Sequence, residues 1–321
     1  MFTINISALV DSLLIFLLAF LIDMAFGEFP DRIHPTVWMG KVIAYFKPKI
    51  RSESSRVEMA NGVLLGLSVI LLFAVPAYLI IFLVQHFFGW IPYIVVSAIL
   101  LKSTFALKCM RRYTVPIADA IKKGDCSKAR QLLPYIVRRD PTGLSERHII
   151  SAAVESIAES TTDGVTSPFF YFALFGVPGA VAYRVINTLD SMLGYKDQEH
   201  GNIGWFSASI DTIANYVPAR LTATLMTLAA LFLGEKWKES RRILQRDKRN
   251  TASLNAGWTL AAMAGALSVQ LEKPGFYKLG DGESLSPTHI MKALRIMVLT
   301  AVLFGVLVVF PLLVLKAFII W

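Results

Sequence analysis

The chain has 321 residues, 55% of them hydrophobic, and 32 Lys and Arg against 23 Asp and Glu give a formal charge of +9; its mean hydropathy is +0.55. A soluble domain of this length fills its core with a smaller apolar fraction, so the excess must face something other than water. The surplus of cations fits basic cytoplasmic loops lying against anionic lipid, not a nucleic-acid binder. Two cysteines, Cys109 and Cys126, offer neither a disulfide framework nor a CxxC metal pair.

Leu9–Phe26 is apolar apart from Asp11 and Asp23. It lacks a basic n-region and a small-residue cleavage site, so it reads as a retained helix and not a signal peptide. Arg32, Lys41, Lys47, Lys49, Arg51 and Arg56 follow it. Met59–Leu101 then carries no Lys, Arg, Asp or Glu and is too long for one span. Gly89 and Pro92 interrupt it beside Trp90, which predicts helices over about 61–84 and 90–107 joined by an outward-facing turn. Residues 108–148 hold ten Lys and Arg against four acids, a cytoplasmic helical insertion by charge bias. Helices are expected there over 113–123 and 126–137, with Ser145 as the N-cap of another.

Gly164–Tyr183 is uncharged but contains Pro168, Gly176, Pro178 and Gly179, so a broken or re-entrant segment is expected. Leu221–Gly234 is apolar and short for a span. Lys236–Arg249 carries seven cations and is cytoplasmic by the same bias. Asn250–Leu271, rich in Ala, Gly and Ser, should pack inside a bundle. Ile296–Leu315 is the last apolar span. The fold class expected is all-α: a polytopic integral membrane helical bundle with broken or re-entrant segments. Residues 1–321 form one membrane domain, with the insertion at 108–148 and an active-site region at 149–220. No internal repeat is present.

The chemistry concentrates between His148 and Arg220. Glu155, Glu159 and Asp163 recur every four residues and stack on one helix face. Like charges at that spacing destabilise a helix, so a compensating cation is expected, and Mg²⁺ takes a few carboxylates while keeping waters for phosphate oxygens. The plainer alternative is a solvated face, or pairing with Arg147 and Arg184. Because the ladder runs into an apolar segment, a functional role is favoured. Arg184, Asn187, Asp190, Ser191 and Lys196 form a second cluster; Asp211, Asn215 and Arg220 form a third. Single members can be caps or interhelical hydrogen bonds. Their density suits a site that clamps phosphates and a carboxylate. No P-loop, GxGxxG, HExxH or Gly-x-Ser-x-Gly motif occurs, so any nucleotide needs a site of another kind.

Several blocks resemble the adenosylcobinamide-phosphate synthase family, CobD/CbiB. They are His34-Pro35-Thr36-Val37-Trp38-Met39-Gly40, Arg139-Asp140 with Gly143-Leu144-Ser145, and Val154 to Val165. Ala182 to Met192 with Gly194-Tyr195-Lys196, Gly204-Trp205, Asp211 to Leu221, and Asn255-Ala256-Gly257-Trp258 complete the set. The blocks run in order from about residue 20 to 280. Arg138 stands where Gly is common, and Ser160 where Asn is expected.

The resemblance implies an ATP-dependent acid–amine ligase. Adenosylcobyric acid is joined through one corrin propionate to aminopropanol or its phosphate, giving adenosylcobinamide (phosphate). An ATP-derived acyl phosphate is the expected route, with Mg²⁺, phosphate clamps and a base for the ammonium. Glu155, Glu159 and Asp163 are assigned to metal, with one of them a candidate base and Asp190 and Asp211 as alternates for either role. Arg139, Arg184, Lys196 and Arg220 are candidate phosphate or propionate clamps; Asn187, Asn215 and Asn255 orient substrate. His34 is a proton shuttle or, more simply, a structural residue before Pro35. Trp38 and Trp258 pack on the corrin or anchor at the interface. The expected setting is the plasma membrane, multi-pass, with the site facing the cytoplasm. The partners expected are membrane lipid, with a second copy or late cobalamin-pathway membrane enzymes as further candidates; no nucleic acid is expected. The rivals are a non-catalytic sensor or regulator on the same scaffold, an intramembrane Mg²⁺-dependent prenyltransferase, and a transporter.

Overall fold

The computed structural model describes residues 5–194, 202–282 and 284–319. The chain opens with α1 (Ile6–Phe26), α2 (Pro35–Phe46), α3 (Ser55–Phe88) and α4 (Trp90–Lys102). Next come α5 (Leu107–Lys122), α6 (Cys126–Leu132), α7 (Glu146–Thr161), a π-turn over Thr162–Thr166 and α8 (Ser167–Leu193). They are followed by α9 (Trp205–Ala214), α10 (Tyr216–Phe232), α11 (Trp237–Asp247) and α12 (Ala256–Leu267). A hairpin of β1 (Leu271–Lys273) and β2 (Tyr277–Leu279), then α13 (Pro287–Phe304) and α14 (Phe310–Ile319), complete the order. Among the described residues, five helical runs are long and apolar enough to cross a membrane: Ile6–Phe26, Ser55–Phe88, Trp90–Lys122, Glu146–Leu193 and Pro287–Phe318. The protein is therefore a polytopic helical membrane protein.

These elements gather into two compact units, each built from separate stretches of chain. The first comprises 1–106, 167–214 and 307–321. Its core joins α1 to α4 and α3 to α8 and α9. Phe169 anchors it, meeting Phe16 and Phe105 edge-on at 4.8 Å each. Gly89, at φ +81°, breaks the long apolar run into α3 and α4 where the sequence places the turn. On α3, Gly62 and Gly66 lie one turn apart and form a notch: a Cβ at the first would overlap the Ile203 carbonyl, and at the second the Phe206 ring. Gly176, at φ +70° and ψ −163°, interrupts α8 ahead of Pro178, so the expected break in 164–183 is found there.

The second unit comprises 107–166 and 215–306. Helix α7 is its axis, buried from Ile149 to Ala158 and packed by α5, α12, α13 and β1. The Ser145 side chain accepts the amide of His148 and caps it. Helix α12 is buried from Thr259 to Leu267, the interior packing its small residues predict. Gly257 and Gly265 let the α11 backbone approach: side chains there would collide with the carbonyls of Lys248 and Glu239. The antiparallel hairpin, with Leu271 opposite Leu279, was not expected from the sequence. Both leucines are fully buried. The intervening Pro274-Gly275, with Gly275 at φ +78°, supplies the turn.

Candidate functional site

The acid ladder does not behave as three equal carboxylates. Glu155 lies on the buried axis of α7, where an unpaired carboxylate would be costly. Its Oε2 accepts from Arg139 Nη2 at 2.7 Å and from the Tyr277 hydroxyl at 2.7 Å. Its Oε1 accepts from the Ser151 hydroxyl at 2.7 Å. Glu159, one turn on, is exposed. Asp163 is half-buried and lies within the π-turn, past the end of the regular 3.6-residue repeat. The charge partner of Glu155 is Arg139, and Arg147 instead donates to Gln270 Oε1 at 2.8 Å. Among the described residues, no set of three His, Cys, Asp or Glu side chains converges on a metal position.

Arg139 is the informative partner. One edge of its guanidinium holds Glu155, while its Nη1 is buried and has no hydrogen-bond partner. A buried donor of this kind calls for an acceptor, whether an ordered water, an ion or a ligand. Burial first, then the charge of Glu155 and more weakly that of Glu159, push the Tyr277 hydroxyl up. Tyr277 therefore stays protonated and donates.

Arg220 and Asn255 come together in the same unit. Arg220 Nη1 donates to Asn255 Oδ1 at 2.8 Å and to the Tyr216 carbonyl at 2.6 Å. Its guanidinium lies 3.5 Å from the centroid of the Tyr216 ring and 4.8 Å from that of Trp258. These contacts tie the start of α10 to the start of α12 and occupy much of a proposed clamp. Asn215 is buried just before α10. Arg184, Asn187, Asp190 and Asp211 belong to the other unit. There Arg184 Nη1 reaches Asn187 Oδ1 at a long 3.4 Å, and the Arg184 Nε is buried without a partner. Asp190 folds back toward Gly194, leaving no room for a side chain at that glycine. Asp211 is half-buried on α9. Lys196 lies outside the described residues.

A model of the family described as CobD/Cbib protein matches residues 16–297. The chain belongs to the CobD/CbiB family. It is 43% identical over 303 residues to a probable cobalamin biosynthesis protein CobD of Methanothermobacter thermautotrophicus, covering 92% of this chain and 98% of that protein. It is 41% identical over 297 residues to the probable CobD of Thermoplasma volcanium, covering 92% and 96%. A CobD of Dehalococcoides mccartyi is 42% identical over 271 residues, covering 84% and 87%. No solved structure matches.

Within this CobD/CbiB chain, the His-Pro block has a definite structural use. His34 is the N-cap of α2, its Nδ1 accepting the Thr36 amide at 3.2 Å. Its Nε2 therefore carries the proton and donates to Glu28 Oε2 at 2.6 Å. With both nitrogens engaged, the ring is a fixed link. Glu28 Oε2 also lies 3.1 Å from Lys102 Nζ, which is 3.2 Å from Asp23 Oδ1. Lys102 and Asp23 are both 0% exposed. Trp38 donates its indole N–H to the Arg32 carbonyl at 3.0 Å. Sequence reasoning missed Lys102, Glu28, Ser151 and Tyr277. Lys102 and its partners are far apart in the chain, and no spacing rule links them. Tyr277 had a readable signal in the Pro274-Gly275 turn between two leucines.

Proposed function

We propose that this chain is the amide-forming synthase of its pathway, joining adenosylcobyric acid to aminopropanol or aminopropanol phosphate with ATP. The observation that carries the reading is Arg139: a half-buried guanidinium with one nitrogen fixed by Glu155 and the other, buried Nη1, without a hydrogen-bond partner. Membership of a cobalamin-biosynthesis family supplies the substrate class. In the proposed reaction a propionate oxygen attacks the γ-phosphorus of ATP and ADP leaves. The amine nitrogen then attacks the acyl carbon, phosphate departs, and a base takes the ammonium proton.

Arg139 Nη1 is assigned to the transferred phosphoryl or the propionate as a charge-assisted donor. Glu155 is the residue that holds Arg139. Glu159 and Asp163, whose carboxylates are exposed and half-buried, fit Mg²⁺ brought in with the nucleotide, since that ion commonly takes only one or two carboxylates beside phosphate. When bound, Mg²⁺ offsets phosphate charge. Asp190 and Asp211 remain alternates for the base; Arg184, Asn187 and Asn215 are proposed to contact substrate, and Lys196 is a further proposed clamp. The Arg220–Asn255 pair is assigned to shaping that end of α10. The site is proposed to face the cytoplasm in the plasma membrane, where basic loops favour that side.

The test is purified protein with adenosylcobyric acid, Mg-ATP and each amine donor, with the amide product and ADP followed by mass spectrometry. Amide formed in step with ADP is expected. Absence of product with both donors, from protein that is folded and inserted, overturns the reading. Sidedness is tested by labelling a Lys196→Cys variant from each face of sealed vesicles; reaction only from the outer face overturns the cytoplasmic placement.

A further inference from the structure

The hairpin between α12 and α13 reaches Glu155 by two routes. The first is direct, since the Tyr277 hydroxyl donates to Glu155 Oε2 at 2.7 Å. The second is relayed: the Glu272 amide donates to Ser151 Oγ at 2.8 Å, and the Ser151 hydroxyl donates to Glu155 Oε1 at 2.7 Å. Each carboxylate oxygen is thus addressed by the hairpin. The hairpin is itself fixed at its far end, where the Gly280 amide donates to Asp247 Oδ2 at 2.7 Å. Leu271 and Leu279 are buried beneath it, and Arg147 and His148 meet Gln270 and Glu272 along its first strand. By contrast, Arg139 sits in the irregular 136–145 connection, with no helix to aim it. Its side chain donates to Glu155 Oε2.

We propose that the β-hairpin is the positioning element of the anion site: Tyr277 and Ser151 lock the Glu155 carboxylate in one orientation, and Glu155 thereby holds Arg139 Nη1 toward the anionic group. Tyr277 and Ser151 are positioning residues in this scheme; neither touches substrate. The proposal rests on the reading of Arg139 as an anion clamp. Without the Tyr277 hydroxyl, Oε2 keeps Arg139 alone and the carboxylate loses one of the two contacts that fix its last torsion, the other being Ser151 on Oε1. A salt-bridged guanidinium follows its partner, so its free edge loses its fixed direction.

The test is a double-mutant cycle on the full-length protein in detergent, with tripolyphosphate as probe and its affinity measured by titration calorimetry. Tyr277→Phe should weaken tripolyphosphate by about tenfold, within the range expected for residues of one hydrogen-bond network. In an Arg139→Gln background, the same change should add less than about twofold, since the group it positions is gone. Ser151→Ala should weaken binding in the same direction, and Ser151→Thr, which keeps the hydroxyl, should restore it; this pair carries the test if Tyr277→Phe does not fold. In turnover, Tyr277→Phe should raise KM for ATP more than it lowers kcat. Additive effects of Tyr277 and Arg139, wild-type affinity in Tyr277→Phe, or no Arg139-dependent tripolyphosphate binding each overturn the proposal. Coupling in the cycle without any amide product leaves the positioning intact and removes the reaction; product with an additive cycle does the reverse.

Discussion

Each unit buries a cation against acids, and the two arrangements end differently. In the first, Lys102 lies between Asp23 and Glu28, both within 3.2 Å, and His34 adds a hydrogen bond to Glu28. Lysine and Asp23 are wholly shut off from solvent, and a ring over which the ammonium lies, Phe29 at 5.2 Å, closes the surroundings. In the second, Arg139 meets Glu155, keeps one donor without a partner and has an exposed acid, Glu159, one turn from its partner. A cation hemmed in by two acids and sealed by packing ties together the end of α1, the start of α2 and the end of α4. A guanidinium with an unfilled edge near an accessible carboxylate is placed to receive something. Neither buried charge nor a buried donor without a hydrogen bond separates scaffold from site, since Lys102 Nζ lacks one as well; the accessible carboxylate beside the Arg139 pair is the difference.

Breaking the sealed cluster should have the largest effect. Lys102→Met leaves Asp23 and Glu28 without their cation, a loss of roughly 3–5 kcal/mol for a buried pair broken on one side. Denaturant unfolding in detergent should register it; a shift below about 1 kcal/mol would show that the cluster is not held by charge. In the open cluster, Glu159→Gln and Arg139→Gln should each lower amide formation by about 10²–10³-fold, the scale for one electrostatic contact in a reaction site. Both variants should keep wild-type insertion, and Glu159→Gln, at an exposed position, should stay within about 0.5 kcal/mol of wild-type stability. Normal turnover by Glu159→Gln would sink its assignment.

The pH response gives a finer comparison. Burial alone would raise the Glu28 carboxyl, but the His34 hydrogen bond and the Lys102 charge outweigh it and hold it below the ordinary range. Being depressed in the fold, it contributes stability that is present above the unfolded glutamate value of about 4.3 and lost as pH falls through its lowered folded value. The acid limb of an unfolding curve should therefore flatten in Glu28→Gln. The smallest effect is expected at Asp281, which hydrogen bonds to Arg246 and then Arg242 hold down to about 2. That tether of the chain beyond β2 to α11 is present above the ordinary aspartate range, about 3.9, and is released as pH falls toward its folded value. Asp281→Asn should show at neutral pH the proteolytic nicking that wild type shows only in strong acid; identical nicking in both would remove the tether.

Much of the architecture was legible because it follows from local rules. Gly89 splits α3 from α4, Ser145 caps α7, Gly176 breaks α8, and the small residues of α12 go inside. The acid ladder was legible as a pattern and not as a set of roles. Spacing correctly puts Glu155 and Glu159 on one face, but it cannot see that α7 is an axis whose middle turn is covered and whose next is open. Nor can it follow Asp163 past Thr161, where the π-turn departs from the repeat that the spacing argument uses. Tyr277 and Lys102 reach their partners across 122 and 79 residues of chain respectively, by tertiary packing that no window of sequence contains.

The two glycines that seat α12 against α11 have a consequence for dynamics. Helix α11 carries four of the chain's 32 Lys and Arg and presents Lys238, Arg241 and Arg242 outward, features that ordinarily accompany a fraying surface helix. Here its main chain is wedged, near both ends, against the most enclosed helix of its unit. Its amides should exchange with solvent deuterium on the slow timescale of the interior, opening only when that whole unit opens.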